Sequence, residues 1–317
     1  MARRTLDGPP SVLPLYARAA APLLPGTSRL PFVPGGGGEI PSLELELRGV
    51  GADADRLAAY ARACGFALRD TLPPTYPQVL AFPLQMALLA DGSFPFGAVG
   101  LVHLENQLEQ RRPVRISEPL DLAVHPTPLR PHPKGQTFSI LTEARVDGEL
   151  AWSARSTMLH RGKPTPAELA ETPVGAGENA NSAQWEPVET TVPASARWRL
   201  GEGLGRRYAS VSGDRNPIHM HALTAKPLGF PAAIAHGMWT KARCLAALEN
   251  RIPDAFAVEA RFRKPILLPA RVEFASQQRS GGQTAFTVRA AQGGAPHLDG
   301  LIRPTDEKPK AKRGRQK

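Results

Sequence analysis

Two cysteines in 317 residues, Cys64 and Cys244, exclude a disulfide framework and a four-cysteine zinc site. No apolar run approaches the roughly 20 residues that a membrane-spanning helix needs. Acidic residues are the scarcer charge, 29 against 39 Lys and Arg, for a formal +10. Half of that excess sits in the last segment, EKPKAKRGRQK (307–317), with six basic residues and one acid. The body therefore carries only a modest positive charge, suited to an enzyme that handles an anionic ligand. The tail has no aromatic residues to stack on bases, so nucleic acid is not expected as a partner. A cytoplasmic protein without a membrane span is the expectation.

What is abundant is proline and glycine, 33 and 29 residues, without a collagen period. The length suits about two domains, each able to bury a core. Residues 1–41, from Pro9-Pro10 through Pro34 to Gly35–Gly38, read as an extended Pro/Gly-rich arm. Arg3, Arg4, Arg18 and Arg29 raise the question of a targeting segment, but the prolines break the amphipathic helix that a transit peptide needs. A second linker runs over 161–190, and 305–317 reads as a disordered basic tail. Between them lie an N-terminal half, 42–160, and a C-terminal half, 191–304.

The halves look related. Tyr60-Ala61-Arg62-Ala63-Cys64-Gly65 and Tyr208-Ala209-Ser210-Val211-Ser212-Gly213 both end a helical pattern on glycine, at an offset of 148. Gln85-Met86 faces Gly237-Met238, and Arg112-Pro113-Val114 faces Lys264-Pro265-Ile266, at an offset of 152, as though one small insertion separated the copies. Strand-like runs follow in each half: 100–106, 120–124, 137–146 and 150–159, then 257–263, 271–277, 284–290 and 297–303. Helix first and several antiparallel strands after is an α+β arrangement.

The chemistry concentrates in 208–242, YASVSGDRNPIHMHALTAKPLGFPAAIAHGMWTKA. The helix ending at Gly213 delivers Asp214 into a loop constrained by Asn216 and Pro217, and His219 follows five residues later. A carboxylate and an imidazole converging on one point can share and move a water proton. Ala235-His236-Gly237-Met238 then opens a second helical pattern. Its first-turn amides lack intrahelical partners, and Gly237 has no side chain to keep a carbonyl oxygen away.

These residues resemble the signature of the MaoC-like (R)-specific enoyl-CoA hydratases, also called hydratase 2. The pattern A-x-x-S-G-D-x-N-P-[IL]-H is met by Ala209, Ser212, Gly213, Asp214, Asn216, Pro217, Ile218 and His219, and an A-H-G-M element by Ala235 to Met238. The resemblance implies a double hotdog fold, two antiparallel sheets each wrapped around a central helix, the second helix over about 234–249. It implies Asp214 and His219 as the catalytic dyad, Gly237 as the oxyanion donor, and no cofactor. Its reaction would interconvert trans-2-enoyl and (R)-3-hydroxyacyl thioesters of coenzyme A or an acyl carrier protein.

The N-terminal half departs from the pattern. Aligned on its own glycine, Phe66 stands opposite Asp214 and Thr71 opposite His219, and at the offset of 152 Gln85 stands opposite Gly237, so this half is expected to shape the acyl-binding space. Asn216 and His236 are expected to contact substrate, and Arg261, Arg263 and Lys264 to meet the carrier's phosphates or an acidic carrier surface. A charged, solvated edge strand explains those three equally well. A homodimer is allowed. His219, His221 and His236 lack a carboxylate pair at ligand spacing, so no metal is expected, and Gly201-x-Gly203-x-Gly205 reads as a strand–helix turn. The competing readings are a hotdog thioesterase and a binding module for acyl thioesters or nucleic acid without turnover.

Overall fold

A computed structural model describes residues 1–20, 38–162 and 186–305. Most of the expected linker, the basic tail beyond 305 and the glycine run up to 37 lie outside the described residues. The chain opens with β1 (Ala2–Leu6) and α1 (Val12–Ala20). The N-terminal half then supplies β2 (Leu43–Val50), α2 (Ala54–Cys64), α3 (Tyr76–Leu89), β3 (Val102–Gln110), β4 (Leu120–Pro126), the short β5 (Arg130–His132), β6 (Gly135–Val146) and β7 (Glu149–Arg161). The C-terminal half supplies β8 (Ala196–Leu200), α4 (Leu204–Ser212), α5 (Pro217–Met220), α6 (Ala222–Ala225), α7 (Gly237–Leu248), β9 (Phe256–Phe262), β10 (Ala270–Gln278), β11 (Thr284–Ala290) and β12 (Pro296–Pro304).

Each half thus runs strand, short helix, long helix and four strands of the main sheet path, as a duplication requires; the short β5 is extra in the N-terminal half, and α5 and α6 are extra in the C-terminal half. The sheet order β1-β2-β4-β6-β7-β3-β9-β12-β11-β10-β8, with β5 beside β6, makes the symmetry explicit. β3 and β9, counterparts in the two halves, pair antiparallel at the seam, so the two expected sheets are fused into one. The seam is also tied from inside: Lys241 of α7, fully buried, donates to the side-chain and backbone oxygens of Asn106 on β3. The architecture is α+β, a double hotdog.

Local rules place the helices. Asp53 caps α2 by accepting from the Arg56 amide, and Gly65 and Gly213 close α2 and α4 at φ 83° and 84°, a backbone region that favours glycine. Tyr60 and Tyr208, the paired tyrosines of the repeat, are both buried and meet with ring centroids 6.1 Å apart.

Two expectations need correction. The first 20 residues are not an extended lead-in: β1 pairs parallel with β2, from Ala2↔Leu43 to Leu6↔Leu47, and α1 packs on α3 with Ala19 buried in the core. Pro9 and Pro10 lie between these elements, and Pro14 falls in the first turn of α1, where a missing amide proton costs no helical hydrogen bond. Nor does a single small insertion relate the halves. The Leu72 and Ala235 amides donate to Val114 and Ile266 oxygens in the same way, so they correspond, at an offset of 163. The offset of 152 returns only at Arg112 and Lys264. Gln85 therefore lies late in α3, whereas Gly237 opens α7, and the two do not correspond.

Candidate active site

The C-cap at Gly213 turns the chain so that Asp214 leaves α4 toward the interior. Asn216 caps α5, its side chain accepting from the Ile218 amide, and Pro217 starts that helix, which carries His219. Gly205 on α4 makes the arrangement possible: a Cβ there would lie 1.9 Å from the His219 backbone oxygen. The third glycine of Gly201-x-Gly203-x-Gly205 is therefore a close-approach position as well as part of a turn. His236 precedes α7 and stacks on His219, with ring centroids 3.7 Å apart.

Hydrogen bonds fix the chemistry each group presents. His219 Nδ1 lies 2.8 Å from the Ile234 oxygen, so it carries the proton and leaves Nε2 as the acceptor. His236 Nε2 lies 3.0 Å from the Asp214 backbone oxygen and donates to it, which leaves its buried Nδ1 as a lone pair. Asp214 Oδ1 accepts from the Tyr16 hydroxyl at 2.7 Å and from the Asn216 amide at 3.2 Å, while Oδ2 lies 3.8 Å from His236 Nε2.

Burial would push the Asp214 carboxyl up, but the facing imidazoles of His236 and His219, with the Tyr16 and Asn216 donors, hold it below the usual carboxylate range. Burial lowers both imidazoles, partly offset by Asp214; His236, which also faces His219, falls to about 3. Near neutral pH the site therefore pairs an ionised carboxylate with two neutral imidazoles. Asp214, His219 and His236 also form a group whose ligating atoms lie within 4.8 Å of one another. Two of the four ring nitrogens are committed as donors to backbone oxygens, so only His219 Nε2 and His236 Nδ1 offer lone pairs.

These groups line a cavity of about 460 Å³. Gly237 borders it as the first residue of α7, and its small size is also required by packing: a Cβ there would lie 2.9 Å from the Phe262 ring. The N-terminal half contributes Val102, His103, Leu104, Met158 and Leu159 to the same wall. Burial, with Lys241 nearby, lowers the His103 imidazole to about 4, and its Nε2 is buried without a hydrogen bond.

The sequence-derived site residues separate into two groups. Asp214, Asn216, His219, His236 and Gly237 are brought together on the cavity. Arg263 and Lys264 also border it; Arg263 is half-exposed and ion-paired to Asp299 at 2.9 Å. Arg261 is buried on β9, 3.3 Å from Glu105 across the seam, and borders a smaller cavity of about 190 Å³ with Arg130, Arg155 and Arg263, which lines both cavities. Sequence reasoning missed Tyr16. The only hint was the spacing of Val12, Leu15, Tyr16 and Ala19, short and interrupted by Pro14, with its partner 198 residues away.

The fused sheet, the two central helices and the Asp/His cavity define a double-hotdog acyl-thioester dehydratase scaffold, and comparison with known proteins agrees. A model of the MaoC like domain matches residues 180–297. The 3-hydroxyacyl-thioester dehydratase X of Mycobacterium tuberculosis is 35% identical over 294 residues, 93% of this chain and 98% of that protein. The crystal structure of HtdX from the same organism, 34% identical, aligns with a TM-score of 0.71 over 83% of this chain and all of that one. A MaoC-like dehydratase from Phytophthora capsici, 18% identical, shares the fold at a TM-score of 0.67, over 84% of this chain and 96% of that one. The chain belongs to the MaoC-like dehydratase family.

Proposed function

We propose that the chain is a hydro-lyase that interconverts trans-2-enoyl and (R)-3-hydroxyacyl thioesters. The observation that carries this reading is the convergence of Asp214 Oδ2 and His219 Nε2, both open acceptors, on a cavity that Gly237 also borders. In the hydration direction one water sits between these two acceptors. Its oxygen bonds to C3 as one proton passes to the dyad, and the dyad returns a proton to C2. Charge that develops on the thioester oxygen meets the amide end of α7 at Gly237. Water adds across a double bond, so no electrons are gained or lost and the step calls on no redox cofactor.

The apolar wall from β3 and β7 suits an acyl chain. Arg263 and Lys264 at the rim suit the phosphates of coenzyme A or an acidic carrier surface, with Arg130 and Arg155 in the adjoining cavity as further positive charge. The test is loss of enoyl-thioester absorbance with coenzyme A and carrier-protein substrates of graded chain length, with the product resolved by chirality. An (R)-3-hydroxyacyl product supports the reading. Release of a free thiol without hydration, or no turnover on any substrate, defeats it.

A further inference from the structure

We propose that Tyr16 is a positioning residue for the reaction: it occupies one oxygen of Asp214 so that only the other meets the reacting water, which makes the first 20 residues part of the active site. The inference rests on the hydro-lyase reading and adds to it a role for a segment far outside the matched domain.

The hydroxyl has one proton and three polar neighbours, the Arg215 and Asn216 amides, which are both donors, and Asp214 Oδ1. The Arg215 amide nitrogen, 2.9 Å away, is a donor, so the Tyr16 oxygen accepts there. Its own proton is then directed to Asp214 Oδ1 at 2.7 Å. Burial, and then the adjacent Asp214 charge, push the phenol far above its ordinary value, so it remains a donor across the working range of pH. With the Asn216 amide also on Oδ1, that oxygen is filled, and Oδ2 is left for water.

Without the Tyr16 proton the carboxylate could rotate and present either oxygen, and it would lose one of the donors that favour its ionised form. The groups that face Asp214 come from several elements. Tyr16 belongs to α1, Tyr208 to α4 and His219 to α5, while His236 precedes α7 and His103 lies on β3. Among these, Tyr16 is the donor supplied by the first 20 residues. Its helix is anchored at both ends, by the β1–β2 pairing before it and by Ala19 in the core after it.

The test is Tyr16→Phe in the full-length protein, which keeps the ring and removes only the hydroxyl. Losing a donor to the carboxylate raises its pKa, so the acid limb of kcat moves to higher pH, by at least about half a unit. Near neutral pH, kcat falls about tenfold while KM stays within about twofold, because the lost contact acts on the reacting water. Leu15→Ala is the companion variant: it loosens the packing of α1 on the core yet keeps the hydroxyl, so Tm falls with the acid limb in place. An unmoved limb with kcat within twofold in Tyr16→Phe overturns the proposal. So does an equal limb shift in Leu15→Ala below its Tm, which would assign the effect to packing. Wild-type protein inactive on every enoyl thioester would instead count against the hydro-lyase reading itself.

Discussion

The two halves carry the same succession of elements, yet they differ sharply in the stretch between the short helix and the long one. From Gly65 the N-terminal half reaches its long helix almost directly, through Phe66 and Leu72. From Gly213 the other half detours through Asp214, α5 and α6 before Ala235 takes the place of Leu72. The segment that holds His219 therefore has no counterpart in the N-terminal half. The long helices differ as well. Where α7 opens on Gly237, α3 opens on Tyr76, whose amide is already donated to the Pro73 oxygen, and the next residue is Pro77, which has no amide proton. The N-terminal half lacks the carboxylate, the imidazole segment and the open helix terminus together. A single substitution at Phe66 could not restore a site there.

What the N-terminal half gives instead is a wall, and a support for the opening segment. β3 and β7 line the cavity, and α1, which packs on α3, brings Tyr16 to Asp214. The division of labour follows from packing. In the short helices, Leu57 is buried at the position where the other half has Gly205, and in the second case the space is filled by the His219 backbone.

The strongest way to break this comparison is to remove the dyad. Asp214→Asn and His219→Gln should each lower kcat by at least about 10²-fold, with Tm within a few degrees of wild type. Residual activity near half of wild type in either variant would reveal a second site in the N-terminal half.

Next in size is the exchange of packing at the short helices. Gly205→Ala places a Cβ 1.9 Å from the His219 oxygen, so α4 and α5 must part. We expect kcat to fall at least about tenfold and stability to fall by about 1–3 kcal/mol, read from denaturant midpoints. Leu57→Ala should cost about 2–5 kcal/mol of stability by opening a cavity, with kcat within about twofold below its Tm. Equal catalytic losses in the two variants would show that the halves are not divided as described.

How much of this was legible in the sequence depends on distance along the chain. The dyad, Gly237 and the two helix-closing glycines lie within local patterns, and the strand runs came close to the observed ones because alternation and turn residues are local. The helix expected over 234–249 begins at Gly237 because Ile234 bridges to Leu267 and the Ala235 amide is taken by Ile266. Tyr16 was not legible, because its role depends on a partner brought in by tertiary packing. Gln85 was aligned with Gly237 by a two-residue match that the corresponding backbone hydrogen bonds do not support. It is instead a buried core residue whose amide donates to Thr142 at 2.8 Å.

A smaller effect separates the halves by pH. His236 is held neutral by burial, at about 3 when folded against an ordinary value near 6.5. The unfolded chain binds more protons between these values, so this contribution to stability is fully present above about pH 6.5 and is lost as pH falls toward 3. The slope for one such group is at most about 1.4 kcal/mol per pH unit. Asp214, also lowered, adds a loss of the same sign further into acid. In urea titrations across pH, His236→Gln should flatten the dependence below pH 6.5. An unchanged slope would mean that this imidazole does not titrate with unfolding.

The smallest effects belong to the rim, where the three sequence-derived basic residues part company. Arg263 and Lys264 border the large cavity, whereas Arg261 is buried against Glu105 at the seam. Exposed charges contribute about 0–1 kcal/mol each, so the informative variant is the double Arg263→Ala/Lys264→Ala. It should raise KM a fewfold with kcat nearly unchanged, and the difference should shrink at high salt as the carrier's charge is screened. Arg261→Ala should act on the fold, leaving the Glu105 carboxylate without this arginine at the β3–β9 seam and lowering Tm more than it raises KM. If Arg261→Ala moved KM with salt sensitivity and Lys264→Ala alone did not, the carrier would have to dock over the smaller cavity, which Arg261 shares with Arg130, Arg155 and Arg263.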